Sequence, residues 1–230
     1  MNATSPAEIL ADFPSPAIQV EEDRQPEPPR PTANPDLTLD ICSEDGSRTQ
    51  FYQSDGDGIG RILRQLLSPR LFAQPLLTLV SEHCVSAVPS RTIDLILART
   101  PAPPPLVLPP GWLDIVEAGA EALHGDDLIP KVDGEGPPTP ASETTTYVEI
   151  HTSGDWMIHL RLQTRIQTTI QEQRQFLSHF FDLPVIPFRL EGGGVGFINP
   201  PKITRVTVYP PFNGVAETAL PADLLRCVRS

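Results

Sequence analysis

YVEIHTSGDWMIHLRLQ, residues 147–163, reads as a β-hairpin, because Val148 and Ile150 alternate with polar residues and so do Ile158, Leu160 and Leu162. Both apolar sets must face one core, and a slip of one residue would turn one of them to solvent. A three-residue loop, Gly154-Asp155-Trp156, meets that condition and pairs Ile150 with Leu160 and Val148 with Leu162. The same register sets Glu149 opposite Arg161 and His151 opposite His159 on the outer face, with an opposite-charge pair as support.

Sliding the chain along itself by about 109 residues lays LTLDICSEDGSRTQFYQ, residues 37–53, over this hairpin, with Ile41 on Ile150 and Phe51 on Leu160. There a loop Asp45-Gly46-Ser47 pairs Ile41 with Phe51 and Glu44 with Arg48. Further on, RLFAQPLLTLVSE lies over HFFDLPVIPFRLE, and with one inserted glycine VSAVPSRTIDLILARTP lies over VGFINPPKITRVTVYPP. Each segment has a helical stretch after its hairpin. In the first, Asp57 is the candidate N-cap before Ile59, Ile62, Leu63, Leu66 and Leu67; in the second, Thr164 with Gln167 forms a capping box before Ile166, Ile170, Leu177 and Phe181. Pro89 and Pro200-Pro201 cannot donate ladder hydrogen bonds and mark a corner between the last two strands. The expected fold class is α+β: two similar ββαβββ units, an internal duplication, joined by a Pro-rich linker with one short helix.

Composition sets the boundaries between these parts. The chain of 230 residues holds 28 prolines, which suit neither helix interiors nor central strands. Residues 1–36 carry seven acids against Arg24 and Arg30, and residues 101–146 eight acids against Lys131 alone. The formal charge of −12 therefore resides in the Pro-rich parts. The organisation read from this is a disordered acidic Pro-rich tail over 1–36, a first α+β repeat over 37–100, and a Pro-rich acidic linker over 101–146. The linker includes a short helix over 112–123, where Trp112, Ile115, Val116 and Leu123 share a face. A second repeat spans 147–211, and a C-terminal extension with a short helix spans 212–230.

Several chemistries lack their residues. Cys42, Cys84 and Cys227 are widely spaced and odd in number, which is neither a disulfide framework nor a metal knuckle and suits a reduced, cytoplasmic compartment. No run approaches the roughly 20 apolar residues of a membrane span, so no membrane partner is expected. Nucleic acid is disfavoured, because no basic stripe offsets the acidic arms. Glu191-Gly192-Gly193-Gly194 lacks the Lys-Ser/Thr pair of a phosphate loop and reads as a hairpin turn. His151 and His159 are the candidate metal ligands, set against the default of a solvated strand face, since zinc takes at least three protein ligands. No catalytic residue and no cofactor is assigned. Trp156 at a hairpin tip, with Tyr209 and Phe212 after the last strand, forms the candidate interaction surface.

The expected function is a non-catalytic interaction, scaffold or regulatory protein whose partner is another protein or a second copy of itself. The alternatives are a small-ligand or nucleic-acid-binding module using a cleft between the repeats, and an enzyme with a site at the repeat interface.

Overall fold

The computed structural model describes residues 36–81, 84–123, 143–165 and 180–209, all within one compact unit. Strand β1 (Leu37–Ser43) forms a hairpin with β2 (Arg48–Gln53). Farther on, β7 (Glu143–Thr152) forms one with β8 (Met157–Arg165). Both registers differ from expectation by two residues. Ile41 faces Thr49 and Leu39 faces Phe51, while Ile150 faces Ile158, Val148 faces Leu160 and Glu149 faces His159. The loops keep three residues but sit one position earlier, as Glu44-Asp45-Gly46 and Ser153-Gly154-Asp155. Ser43 N–H donates to Ser47 O at 2.9 Å, and Thr152 N–H donates to Trp156 O at 3.0 Å. The physical reason is the third loop residue, which takes a left-handed conformation at Gly46 (φ 78°) and Asp155 (φ 65°). Glycine and aspartate tolerate that region, whereas a bulky residue such as Trp156 does not. A two-residue shift leaves every side chain on its expected face.

Helix α1 (Gly56–Leu66) follows β2. Its N-cap is Asp55, not Asp57: the Asp55 carboxylate accepts from Gly58 N–H at 2.7 Å, and Asp57 lies in the first turn, at the positive end of the helix dipole. Leu66 is buried in a core with Leu37, Leu39, Ile41, Leu71 and Leu77, and Ile59, Ile62, Leu63 and Leu67 pack against it. Strands β3 (Leu76–Val80) and β4 (Val85–Pro89) form a separate two-stranded sheet. A 3₁₀ turn at Ser90–Thr92 makes the expected corner into β5 (Ile93–Arg99).

The linker reading fails at Trp112–Glu117. These residues form a strand, β6, followed by a 3₁₀ turn at Ala120–Leu123, and not a helix over 112–123. Short apolar runs carry no period that separates helix from strand, and the gap between β8 and the next hairpin decides the matter. Ile115 is fully buried there, paired with Leu162. Likewise residues 143–146 belong to β7, not to a linker, and Thr164 is a strand residue opposite Trp112, not a helix cap.

Strands β9 (Ile186–Arg189) and β10 (Val195–Ile198) make the hairpin across the glycine turn, and a 3₁₀ turn at Pro200–Lys202 leads into β11 (Ile203–Tyr209). Gly194, at φ 117°, brings its backbone so close to Ala98 that a Cβ would lie 2.2 Å from the carbonyl oxygen. A nine-stranded sheet results, in the order β11-β7-β8-β6-β9-β10-β5-β1-β2, antiparallel except for the β6–β9 neighbours. The fold is thus sheet-rich α+β.

Both flanks of β10 are buried. Val195 and Phe197 enter the α1 core, whereas Ile198 joins a second core with Ile150, Leu160, Phe180, Ile186 and Phe188. No helix among the described residues is long and apolar enough to cross a membrane. The expected tail over 1–36 (Asp36 apart), the C-terminal extension, Phe212 and the core of the second helical stretch lie outside the described residues.

Candidate functional site

The outer faces of the two hairpins each centre on one acid. In the second hairpin it is Glu149 on β7. His151 shares its face two residues along, His159 sits across on β8, and Arg205 reaches over from β11, where it is paired with His151. His151 Nε2 lies 2.6 Å from Glu149 Oε1, Arg205 donates to the same oxygen at 2.8 Å, and His159 Nε2 lies 3.7 Å from Oε2. Arg205 also contacts His151. Burial pushes the Glu149 carboxyl up, but the hydrogen bond and charge of His151 and the charge of Arg205 outweigh it and hold the group below its ordinary value.

The two histidines are therefore not opposite each other. His159 faces Glu149 and His151 faces Met157, so each imidazole meets one oxygen of a shared carboxylate. Among the described residues no group of three acid, histidine or cysteine side chains is placed to share a cation. The arrangement is an ion-pair knot. A carboxylate with a lowered pKa stabilises the fold fully above its unfolded value and loses that contribution as pH falls through the folded one. We expect Glu149→Gln to cost about 1–2 kcal/mol at pH 7, because Arg205 loses its partner while partly buried. The variant should also show a shallower loss of stability below pH 5 than the parent, in urea melts across pH 3–7; parallel curves would refute this role.

The first hairpin holds a matching knot around Asp40 on β1. Its side chain is fully buried, Arg48 donates to it at 2.5 Å, Gln50 donates to it at 2.8 Å, and Arg99 from β5 completes the set. Burial raises the Asp40 carboxyl, and the bonds from Arg48 and Gln50 with the charges of Arg48 and Arg99 bring it below the ordinary value. Next to it Cys42 is buried, which pushes its thiol up to about 11 and leaves it unreactive at neutral pH.

Where the two hairpin tips meet, a third buried acid joins them. Asp94 on β5 accepts from Ser153 Oγ at 2.9 Å and from Gly154 N–H at 2.6 Å. Lys202 pairs with Glu44 across the same junction. Trp156, expected on an exposed tip, instead lies half-buried: its Nε1 donates to Ser43 O at 3.0 Å and its ring packs on the second core. Tyr209 is half-buried at the end of β11, opposite Tyr147. Sequence reading missed Asp94, although a charge inside the apolar strand Ile93–Arg99 signalled a buried partner.

Beside this junction lies a cavity of about 230 Å³. Leu95, Leu97, Trp156, Ile158 and Phe188 form apolar walls, with Arg48, Glu117 and His159 as polar groups. No protein-family model, curated protein or solved structure matches this chain. Four of the basic side chains that would favour an anionic ligand are dispersed and paired with acids: Arg165 with Glu143, Arg189 with Asp114, Lys202 with Glu44, and Arg205 with Glu149. The polar groups that converge among the described residues hold neighbouring strands and hairpin tips together.

Proposed function

We propose that this chain is a non-catalytic, cytoplasmic interaction protein, built from one ββαβββ unit written twice and acting through protein–protein contacts. The observation that carries the reading is the β3–β4 hairpin. Val80, Val85 and Leu76 are 73%, 66% and 46% exposed on its outer face, and neither outer edge of the hairpin is paired among the described residues. An apolar, open-edged strand pair is the kind of surface that soluble proteins cover with a partner.

Support for the duplication comes from matched positions. β1 pairs with both β2 and β5, and β7 pairs with both β8 and β11. Gly46 and Asp155 occupy the same left-handed loop position, Asp40 and Glu149 centre the two knots, and Ser90–Thr92 matches the turn Pro200–Lys202. Backbone bonds match too: Glu44 N–H donates to Thr92 O and Ser153 N–H to Lys202 O, both at 2.9 Å.

Affinity purification from the native cell with the full chain and with Val80→Glu/Val85→Lys tests the reading. The two positions face each other, so the new charges pair and the hairpin keeps its fold. The expected result is a stoichiometric protein captured by the parent and lost with the variant. An identical capture set from both would overturn it. A second reading, a small-ligand module, has the cavity at the junction in its favour; native mass spectrometry showing a bound small molecule on the purified chain would establish that reading instead.

A further inference from the structure

The hairpin β9–β10 and the hairpin β3–β4 stand in matched positions but have different surroundings. β10 lies against β5 with Val195 opposite Ala98, Gly196 opposite Leu97, Phe197 opposite Ile96 and Ile198 opposite Leu95. That contact buries Val195 and Phe197 completely in the core under α1. By the alignment that sets Val85 on Val195 and Ile93 on Ile203, the counterpart of this junction is β4 against β11, with Val85 opposite Val208 and Ala87 opposite Val206. Within the described residues that junction is not made: β4 pairs with β3 and β11 with β7, each leaving its other edge open. Each side nevertheless has the composition the junction needs. Val85 and Ala87 are exposed on β4, where their counterparts are buried. Val206 and Val208 are half-buried on β11 and pack against the second core.

We propose that β4 of one molecule adds to the free edge of β11 of a second molecule in the register that β10 takes on β5. Antiparallel addition supplies backbone hydrogen bonds to both edges. It also covers Val85 and Ala87 with Val208 and Val206, continuing the apolar row through Val148 and Leu160. The same exchange made reciprocally closes a two-fold dimer with two junctions. This inference rests on the duplication and on the interaction reading above, and it names the partner as a second copy.

Sedimentation equilibrium of the full chain over a hundredfold concentration range, with hydrogen exchange at each end of that range, tests it. The expected result is reversible self-association, with amides of residues 85–88 and 204–208 slowing at least tenfold in the associated form. Ala87→Lys, an exposed position in the monomer, should weaken association at least tenfold. Thr78→Lys, on the same hairpin face but on the strand away from the junction, should leave it within about twofold. A monomer whose 85–88 and 204–208 amides are protected at every concentration would mean that the edges meet within one molecule and would overturn the proposal. So would a monomer with both edges exchanging freely, or association untouched by Ala87→Lys. A monomer that still captures a protein partner lost with Val80→Glu/Val85→Lys overturns self-association alone, whereas loss of both results removes the interaction reading as well.

Discussion

Phe197→Ala is expected to lower stability by about 3–5 kcal/mol, the range for emptying a fully buried aromatic site. The ring belongs to β10 but sits in the core that α1 covers, among Leu37, Leu39, Ile41 and Ile96. Ile198, the next residue, faces the other core. Loss of the ring therefore weakens the attachment of β10 to β5, and through it the seam between the two cores. Both tryptophans, Trp112 and Trp156, pack against the far core, so their fluorescence reports a distant consequence. We expect the parent and the variant each to unfold in one urea transition, with fluorescence and far-UV circular dichroism coincident and the midpoint reduced. Two separated transitions, or a loss below about 1 kcal/mol, would contradict a shared strand.

Asp94→Ala should be the next most damaging change, at roughly 2–3 kcal/mol, since the Gly154 N–H and the Ser153 hydroxyl lose their buried acceptor. The Gly154 backbone also lies close against the first hairpin, where a Cβ would come within 2.2 Å of Ser43 O. A double-mutant cycle with Ser153→Ala isolates the side-chain part, and a coupling of about 0.5–1.5 kcal/mol is expected. Strict additivity of the two changes would show that Asp94 and Ser153 do not act together.

The same details explain how much was legible in the sequence. Alternation in Tyr147–Leu162 reveals a hairpin and its buried face, because those depend on local period alone. Alternation does not fix the register, since a shift of two residues leaves both faces intact; the left-handed demand at Gly46 and Asp155 decides it. Trp112–Glu117 reads as helix in the sequence because so short an apolar run has no decisive period, and the space between β8 and β9 makes it a strand. The alternation of their own strands is enough to put His151 and His159 on the outer face. Arg205 joins them from β11, at a distance in sequence that no local pattern spans. Trp156 reads as exposed because a hairpin tip usually is; here another tip covers it.

The junction of β5 with β10 also sets an order on biosynthesis. When the ribosome has finished Arg99, the first core still lacks Val195 and Phe197, and one edge of β5 has nothing to bond. The nascent chain must hold that edge open until residues 195–198 emerge, so folding is governed by contacts between distant parts of the polypeptide and should be slow. During that interval β5 is open to the wrong strand from a neighbouring chain, which makes the translation of residues 100–195 the period when aggregation competes most strongly with folding.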